Sequence, residues 1–451
     1  MAWLREYSAS RLDLSHADER RSLPPHVFLD FGRKGLLGIN GEPEFGGLDL
    51  SPSDCFFVAQ QFGAIDLSLS ISVLLQSFLV TQPIRRFASE SIKEKYLRDL
   101  VSGRMLGSFC LTEKCAGSDP RRIQTSARKQ SDGTWRINGE KIWSGNAAWA
   151  GVLLVFAKTF DSHNTELGIT GFIVDRNARG IEAGGEARTM GLRAMPQSAT
   201  RFVDVEVAAD GVLGEVGQGL KIAGETMTFA RLMIAAICLG TMRRCLKIAT
   251  VYVRRRRIGS GAMELNPNVL QILEESLSEA VALEVLVHHA GQVLDARETL
   301  PDEFYAAIKI LAPEMLGRIS DQCLQLLGRR GYIETNELSR ITRDARVLRI
   351  FEGPTETLAA HLGARIWNDA APFGDLLQSF GGGVLASRIK IQIESAKNFI
   401  AAKPREAQRD CILRAQFLLG FLAADALAPA ALQAHPNAVS TQAARRFELA
   451  A

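Results

Sequence analysis

Residues 343–363, RDARVLRIFEGPTETLAAHLG, contain an interruption between two helical patterns. The interruption is FEGP, residues 351–354, because glycine and proline both disfavour the interior of a helix. A new helical pattern begins at Thr355 and places Leu358 and Leu362 on one face. Glu352 is therefore predicted to lie in a break between two helices, where a side chain can project into a cleft instead of covering a helix face.

The composition is typical of a folded globular protein with several subdomains. The chain has 451 residues, of which 47% are hydrophobic and 23% are charged, and a typical domain has only ~150 residues. Lysine and arginine number 53, against 50 aspartates and glutamates. This near balance argues against a surface dedicated to nucleic acid.

The cysteines and the N-terminus predict a cytoplasmic protein. Seven cysteines are scattered without CxxC or histidine-paired spacing, which favours a reducing compartment and predicts no metal site. Residues 1–21 lack the apolar region of a secretion signal. Polar residues interrupt the apolar run at residues 56–80, which favours a core helix, so no transmembrane segment is expected.

The order of sequence patterns predicts a mostly α-helical α+β fold. Helical patterns give way after Met105 to short runs rich in β-branched and aromatic residues, and long helical patterns return after GEVGQGL, residues 214–220. We therefore expect an N-terminal helical domain at residues 1–107 and a small β-barrel-like domain at residues 108–213. A C-terminal four-helix bundle at residues 214–368 and a helical extension at residues 369–451 would follow.

Several segments could form a binding site, although each also has a structural interpretation. Around Thr112, Gly117 and Ser118 the small residues would let a polar planar ligand approach the backbone, or would form an ordinary strand-to-loop connection. Trp143 would be a core residue in most small domains, or a flat wall for an aromatic cofactor. The arginines at residues 254–257 fit a solvated helix end, or one of them fits a phosphate.

Six segments in the same order together resemble the acyl-CoA dehydrogenase flavoenzymes. The segments are CLTEKCAGSD, KIWSGN, MGLRAMPQSATRFVDVEV, ETMTFARLMIAAICLG, LLGRRGY and RDARVLRIFEGPTE, and the resemblance covers roughly residues 25–365. It implies an enzyme that holds FAD between the β domain and the bundle and oxidises an acyl thioester to its trans-2-enoyl form. The implied cofactor contacts are Phe109, Leu111, Thr112, Gly117, Ser118, Trp143, Ser144, Arg255, Gln325, Gly328, Thr355 and Glu356.

The resemblance assigns the catalytic base to Glu352 and substrate contacts to Ser118, Arg231 and Gly353. Some relatives place the base just before the arginine of the first bundle helix, but that position is Ala230 here. The structural alternative for Glu352 is an acid favoured by a helix N-terminus. The resemblance also implies that Arg255 reaches the FAD of a neighbouring subunit, which predicts a homodimer or homotetramer.

Three positions depart from the pattern of the family. Gly145 stands where many members have a threonine near the flavin, Arg329 replaces the second glycine of a Gly-Gly pair, and Pro354 replaces a common threonine. These departures leave details of FAD binding open and allow a non-enzymatic docking protein as one alternative. A flavin oxidase or monooxygenase is the other alternative, although the carboxylate of Glu352 favours dehydrogenation.

The partners are also predictions from the resemblance. Electrons would pass to an electron-transferring flavoprotein or a similar acceptor. The thioester would be carried on coenzyme A or on an acyl carrier protein, as in polyketide or non-ribosomal peptide assembly, for which Arg188, Arg193, Arg201 and residues 254–257 could form a basic docking surface. Helical spacing in the extension favours packing on the body of the protein, with oligomer capping or membrane attachment as alternatives.

Overall fold

The N-terminal part of the chain is helical, as the sequence predicts. The computed structural model describes residues 2–434, and the end of the predicted extension, residues 435–451, lies outside the described residues. A π-helix, Leu75–Thr81, directly follows the α-helix Leu67–Leu74. The helices are α1 (Ala2–Ser10), α2 (Leu14–Arg20), α3 (Pro25–Gly32), α4 (Pro52–Gly63), α5 (Leu67–Leu74), α6 (Gln82–Phe87) and α7 (Glu90–Val101).

The middle of the chain folds as one sheet. Its strands are β1 (Gly107–Cys110), β2 (Ser126–Lys129), β3 (Trp135–Gly145), β4 (Val152–Phe160), β5 (Glu166–Asp175), β6 (Ile181–Glu186), β7 (Gln197–Val207) and β8 (Val212–Leu213). They lie in the order β6-β7-β3-β2-β4-β5-β8, and β1 pairs in parallel with β4. The sequence did not predict β6, because its residues IEAGGE are mostly exposed and lack apolar alternation.

Long helices return after the sheet. They are α8 (Gly219–Arg255), α9 (Pro267–Asp295), α10 (Asp302–Leu327), α11 (Arg329–Tyr332), α12 (Glu337–Ala345), α13 (Thr355–Asn368), α14 (Ala371–Ser379), α15 (Gly383–Ala401) and α16 (Arg405–Gln433). A short hairpin of β9 (Arg257–Ile258) and β10 (Gly261–Ala262) follows α8. Four of these helices, α8, α9, α10 and α13, provide the bundle that the sequence predicts.

The chain forms two compact units. The first comprises Met1–Ser51 and Asp66–Ala230, and the second comprises Pro52–Ile65 and Arg231–Ala451. Helix α4 therefore belongs with the bundle rather than with the other N-terminal helices. A Cβ atom on Gly63 would lie only 2.2 Å from the carbonyl oxygen of Ile237, so this glycine lets α4 pack directly on α8.

The described part of the extension packs on the second unit. Helix α16 buries a face that includes Leu419, Ala423 and Leu427. Its Gly420 lies so close to α13 that a Cβ atom would be 1.9 Å from the carbonyl oxygen of Ala359. The prediction that the extension packs on the body of the protein is confirmed for these residues.

Three described helical segments are long and apolar enough to cross a membrane by length and composition. They are Leu67–Phe87, Gly219–Arg255 and Arg405–Gln433, whose most apolar windows are 94%, 67% and 39% buried within the protein. Burial of the first agrees with the core interpretation of residues 56–80. The third is the least buried because none of residues 405–418 in the first half of α16 is buried, whereas residues 426–432 are buried on all sides.

Candidate active site

Glu352 lies in a break between helices, as the sequence predicts. A 3-10 turn, Arg346–Arg349, follows α12, and α13 begins at Thr355. Glu352 has a φ of 55° and Gly353 has a φ of 97°. A non-glycine residue rarely adopts positive φ, so the surrounding contacts must hold this backbone in place.

The carboxylate of Glu352 is held in an environment that favours its neutral form. The residue as a whole is partly exposed, but its Oε2 atom is buried and accepts no hydrogen bond from the described residues. Burial raises the pKa of Glu352 to about 7, and the positive charges of Arg231 and Lys309 oppose this rise. A carboxylate with such a pKa suits general base catalysis near neutral pH.

Arg231 on α8 lies beside Glu352. Its Nε donates a hydrogen bond to the backbone carbonyl of Glu352 at 3.3 Å. Burial lowers the pKa of Arg231 from its ordinary value, and the negative charge of Glu352 opposes that shift. The structure thus brings together Arg231, Glu352 and Gly353, three of the residues predicted to contact substrate or perform catalysis.

Helix α10 anchors both sides of the break. The Nε of Arg349 donates a hydrogen bond to the carbonyl of Pro313 at 3.4 Å, and its guanidinium forms an ion pair of 3.2 Å with Glu314. Thr355 donates to the same Glu314 carboxylate at 3.2 Å and is only 4% exposed. This inward orientation makes Thr355 an anchor of α13; its assignment as a cofactor contact stays a prediction.

In the first unit, two predicted cofactor segments lie side by side. The backbone N–H of Ile142 on β3 donates to the carbonyl of Thr112 at 3.0 Å. Lys141 donates to the carbonyl of Leu111 and forms a buried ion pair of 2.7 Å with Glu113. The Glu113 carboxylate also accepts the backbone N–H of Thr125. The loop after β1 is therefore fixed against β3.

Trp143 is exposed because β3 contains a bulge. Between Lys141 and Ser144 the strand has one residue more than its partner β7, and Trp143 has a φ of 53°. The extra residue interrupts the alternation of the strand, so Ser144 is buried and Trp143 is 63% exposed. The core interpretation of Trp143 is wrong in this unit, and its indole is free to form a flat wall.

The buried polar atoms next to Trp143 fit a polar aromatic cofactor. Ser144 Oγ, both side-chain polar atoms of Asn146, and Ser198 Oγ have no hydrogen-bond partner among the described residues. Ser198 faces Ser144 across the β3–β7 pair. Buried polar groups are ordinarily paired, so these atoms indicate a ligand with donors and acceptors. Around Gly117 a Cβ atom would meet nothing within 4 Å, which leaves its backbone accessible.

Three sequence models of a single family match successive parts of the chain. The N-terminal domain of acyl-CoA dehydrogenase matches residues 2–104, its middle domain residues 108–205, and its C-terminal domain residues 217–367. The chain belongs to the acyl-CoA dehydrogenase family. It is accordingly an oxidoreductase of the class that acts on CH–CH groups, and its cofactor is FAD.

Known relatives agree with this assignment. The rat short/branched chain specific acyl-CoA dehydrogenase is 30% identical over 78% of this chain and 81% of its own length. The rat very long-chain specific enzyme is 32% identical over 72% of this chain, which spans only about half (50%) of that relative. A solved acyl-CoA dehydrogenase from Bacillus anthracis, complexed with FAD, covers 99% of this chain and 86% of its own at a TM-score of 0.84 and 21% identity. The last comparison extends the likeness in fold to the described part of the extension.

Gly145 has a structural explanation within this acyl-CoA dehydrogenase. A Cβ atom at this position would lie 2.7 Å from Leu75 and 3.3 Å from Met195. The threonine that many family members carry would therefore require the Leu75 side chain to shift. The buried, unpartnered hydroxyl of Ser144 is the adjacent group that could serve the same part of the flavin.

The remaining predicted FAD contacts lie on the surface of their units. Arg255 ends α8, Gln325 lies in the last turn of α10, and Gly328 follows that helix with a φ of 57°; all three are exposed, as are Ser118 and Glu356. The assignment of Arg255 to a neighbouring FAD remains a prediction.

Sequence reasoning missed the buried charges around the site. Lys309 is 1% exposed and Lys141 is 0% exposed. Lys309 stands alone in the apolar stretch AAIKILA of α10, a pattern that could have identified it, whereas Lys141 follows the exposed Glu140 and no sequence pattern predicts its burial. Among the described residues, no group of three or more metal-ligating side chains is present. All seven cysteines are free thiols.

Proposed function

We propose that the protein oxidises an acyl-CoA thioester to the trans-2-enoyl-CoA, with Glu352 as the base that removes the α-proton. The observation that carries the proposal is the buried, unpaired Oε2 of Glu352, together with its pKa near 7. An α C–H bond is a weak acid in water, so a base must be desolvated to remove its proton. A carboxylate without competing hydrogen bonds is ready to accept it.

The other residues of the second unit position this base. Arg231 holds the Glu352 carbonyl, and α10 holds the residues before and after it. By resemblance to the family, the backbone N–H of Glu352 donates to the thioester carbonyl as negative charge develops there. When bound, FAD supplies the acceptor for the hydride that leaves the β-carbon.

The first unit supplies residues that fit the flavin. Trp143 offers a flat exposed face, while Ser144 and Asn146 offer unpaired donors and acceptors. The ion pair of Lys141 and Glu113 stiffens the loop that carries Gly117 and Ser118. These residues support FAD binding at the end of β3.

The carrier of the thioester and the partners are part of the proposal. We favour coenzyme A over an acyl carrier protein, because Arg193 and Arg201 of the predicted docking surface already form ion pairs with Asp18 and Glu182. An electron-transferring flavoprotein is the proposed acceptor. The exposed Arg255 supports a homo-oligomer, and the free cysteines support a cytoplasmic location.

The test is an anaerobic titration of the FAD-loaded protein, followed by flavin absorbance. Butyryl-, octanoyl- and palmitoyl-CoA are compared with the same acyl groups on an acyl carrier protein. We expect bleaching by at least one acyl-CoA and a loss of about 10³-fold or more in its rate for Glu352→Gln. Glu274→Gln, an exposed acid on α9, is the control and should bleach normally.

Three outcomes would each contradict part of the proposal. Undiminished bleaching of Glu352→Gln would remove Glu352 as the base. Reoxidation of the substrate-reduced enzyme by air within seconds would favour the oxidase or monooxygenase alternative. Bleaching only by the carrier-protein substrates would instead replace coenzyme A as the carrier.

A further inference from the structure

Lys309 is a buried ammonium group in the apolar face of α10. The residue is 1% exposed, and its neighbours in the sequence, Ile308 and Ile310, are also buried. Its Nζ donates a hydrogen bond of 2.7 Å to the backbone carbonyl of Leu348. Its Nζ also lies 5.9 Å from the ring centroid of Phe351. Lys309 therefore contacts the polypeptide that leads directly to Glu352.

Removing an ammonium group from water is unfavourable, so a buried lysine requires compensating interactions. Burial lowers the pKa of Lys309 to about 8, and the strongest opposing influence is the negative charge of Glu352. The other charged or titratable groups that face it are Arg231 and Cys238 from α8 and Glu314 from α10 itself. Glu352 is the acid whose charge most favours the protonated lysine.

The hydrogen bond of Lys309 completes a set of anchors around the break. Lys309 donates to the carbonyl of Leu348, Arg349 contacts Pro313 and Glu314, and Thr355 donates to Glu314. Lys309, Pro313 and Glu314 all lie on α10. The positive φ of Glu352 is thus held from both sides by a single helix.

We propose that Lys309 is a positioning residue for the base: it anchors the break through the carbonyl of Leu348 and places a buried positive charge beside the segment that carries Glu352. This inference rests on the proposed function, in which Glu352 removes the α-proton. Lys309 itself contacts neither substrate nor FAD in this proposal. Its effect passes through the conformation and the charge state of Glu352.

The experiment measures the rate of anaerobic flavin bleaching between pH 5.5 and 8.5, with whichever of butyryl-, octanoyl- and palmitoyl-CoA bleaches the flavin fastest. In the wild-type protein the rate should rise with pH through about 7, because only ionised Glu352 accepts a proton. Lys309→Met should move this rise upward by about one pH unit, which lowers the rate at pH 6.5 by about tenfold. Lys309→Arg keeps the charge and should leave the midpoint near that of the wild type.

Further variants separate the effect of the Lys309 charge from a general effect on the structure. Lys309→Gln keeps a donor for Leu348 without the charge, so it should move the midpoint even if Lys309→Met fails to retain FAD. Lys247→Met, an exposed lysine on α8, is the control and should leave the profile unchanged. A lower rate at every pH with an unmoved midpoint in Lys309→Met and Lys309→Gln would overturn the inference.

The failure of this inference is distinguishable from the failure of the proposed function. If Glu352→Gln abolishes bleaching while the Lys309 variants keep the wild-type midpoint, Glu352 remains the base and Lys309 loses its role. If Glu352→Gln bleaches normally, the base is elsewhere and both proposals are overturned.

Discussion

Two features of Glu352 are unfavourable in free energy for the folded state: its buried carboxylate and its left-handed backbone conformation. Its neighbours Arg231 and Lys309 offset part of the first cost through their positive charges. Their contacts to the carbonyls of Glu352 and Leu348 constrain the second. Such local strain is tolerated at functional sites where surrounding structure holds it in place. The carboxylate of Glu352 therefore gains a proton readily near neutral pH.

The raised pKa of Glu352 predicts a pH-dependent effect on stability. The folded value of about 7 exceeds the ordinary value of 4.5, so the protonated form is favoured by folding. The resulting stabilisation is fully present below pH 4.5 and is lost as the pH rises through 7. Glu352→Gln cannot ionise and should exceed the wild type in free energy of unfolding by about 1–3 kcal/mol at pH 8, but not at pH 4.5.

Urea unfolding at the two pH values checks this prediction. The exposed variant Glu274→Gln is the control and should show no comparable difference. Equal stability of Glu352→Gln and the wild type at pH 8 would contradict the raised pKa.

The sequence predicted the position of Glu352 but not its environment. The FEGP interruption identifies the break because glycine and proline act locally. The partners of Glu352 are distant in the chain, since Arg231 lies on α8 and Lys309 lies on α10. Their proximity depends on helix packing, which no local pattern encodes. The inward orientation of Thr355 was missed for the same reason.

At the scale of single elements, strand β3 shows how one extra residue changes the role of a side chain. Regular alternation would place Trp143 on the same face as the buried Lys141. The bulge before Ser144 reverses the alternation and exposes the indole. The sequence contains the alternation but not the register with β7, so it could not decide between core and cofactor wall.

The ion pair beneath this strand predicts a large effect of a conservative substitution. Glu113→Gln leaves the ammonium of Lys141, which is 0% exposed, without its ionic partner. Removing one member of a buried pair typically costs about 3–5 kcal/mol. We expect a comparable loss in the free energy of unfolding and a lower FAD content, because the pair fixes the loop after β1.

Urea unfolding and the ratio of flavin to protein absorbance provide the measurement. The double variant Glu113→Gln with Lys141→Met is the matched control and should recover part of the lost stability, because it leaves no unpaired ammonium. A single variant as stable as the wild type would show that water or other groups already satisfy Lys141.

At the scale of the whole molecule, the sequence patterns predicted the order of the helical and strand regions. Helices, strands and long helices follow one another as expected, because hydrophobic periodicity is a local property of each element. The membership of α4 in the second unit was not predictable, since its apolar face would suit any helical core. The packing of the extension depends on Gly363 and Gly420. No sequence pattern distinguishes these two glycines from other helix residues.

Close contact between α13 and α16 ties the extension to the helix that begins just after Glu352. Gly363 and Gly420 permit this contact, since Cβ atoms would lie 1.6 Å from the carbonyl oxygen of Gln416 and 1.9 Å from that of Ala359. Backbone atoms cannot move aside as a flexible side chain can. Gly420→Ala should therefore push the two helices apart and destabilise the protein by about 1–3 kcal/mol, although alanine favours helices.

Gly374→Ala in α14 is the matched control, because its Cβ atom would meet nothing within 4 Å. That substitution should be neutral or slightly stabilising, since alanine has the higher helix propensity. Thermal unfolding of both FAD-loaded variants checks the difference. If Gly420→Ala unfolds at the temperature of Gly374→Ala, α16 does not hold α13 by direct backbone contact, and the extension contributes little to the helix that follows the base.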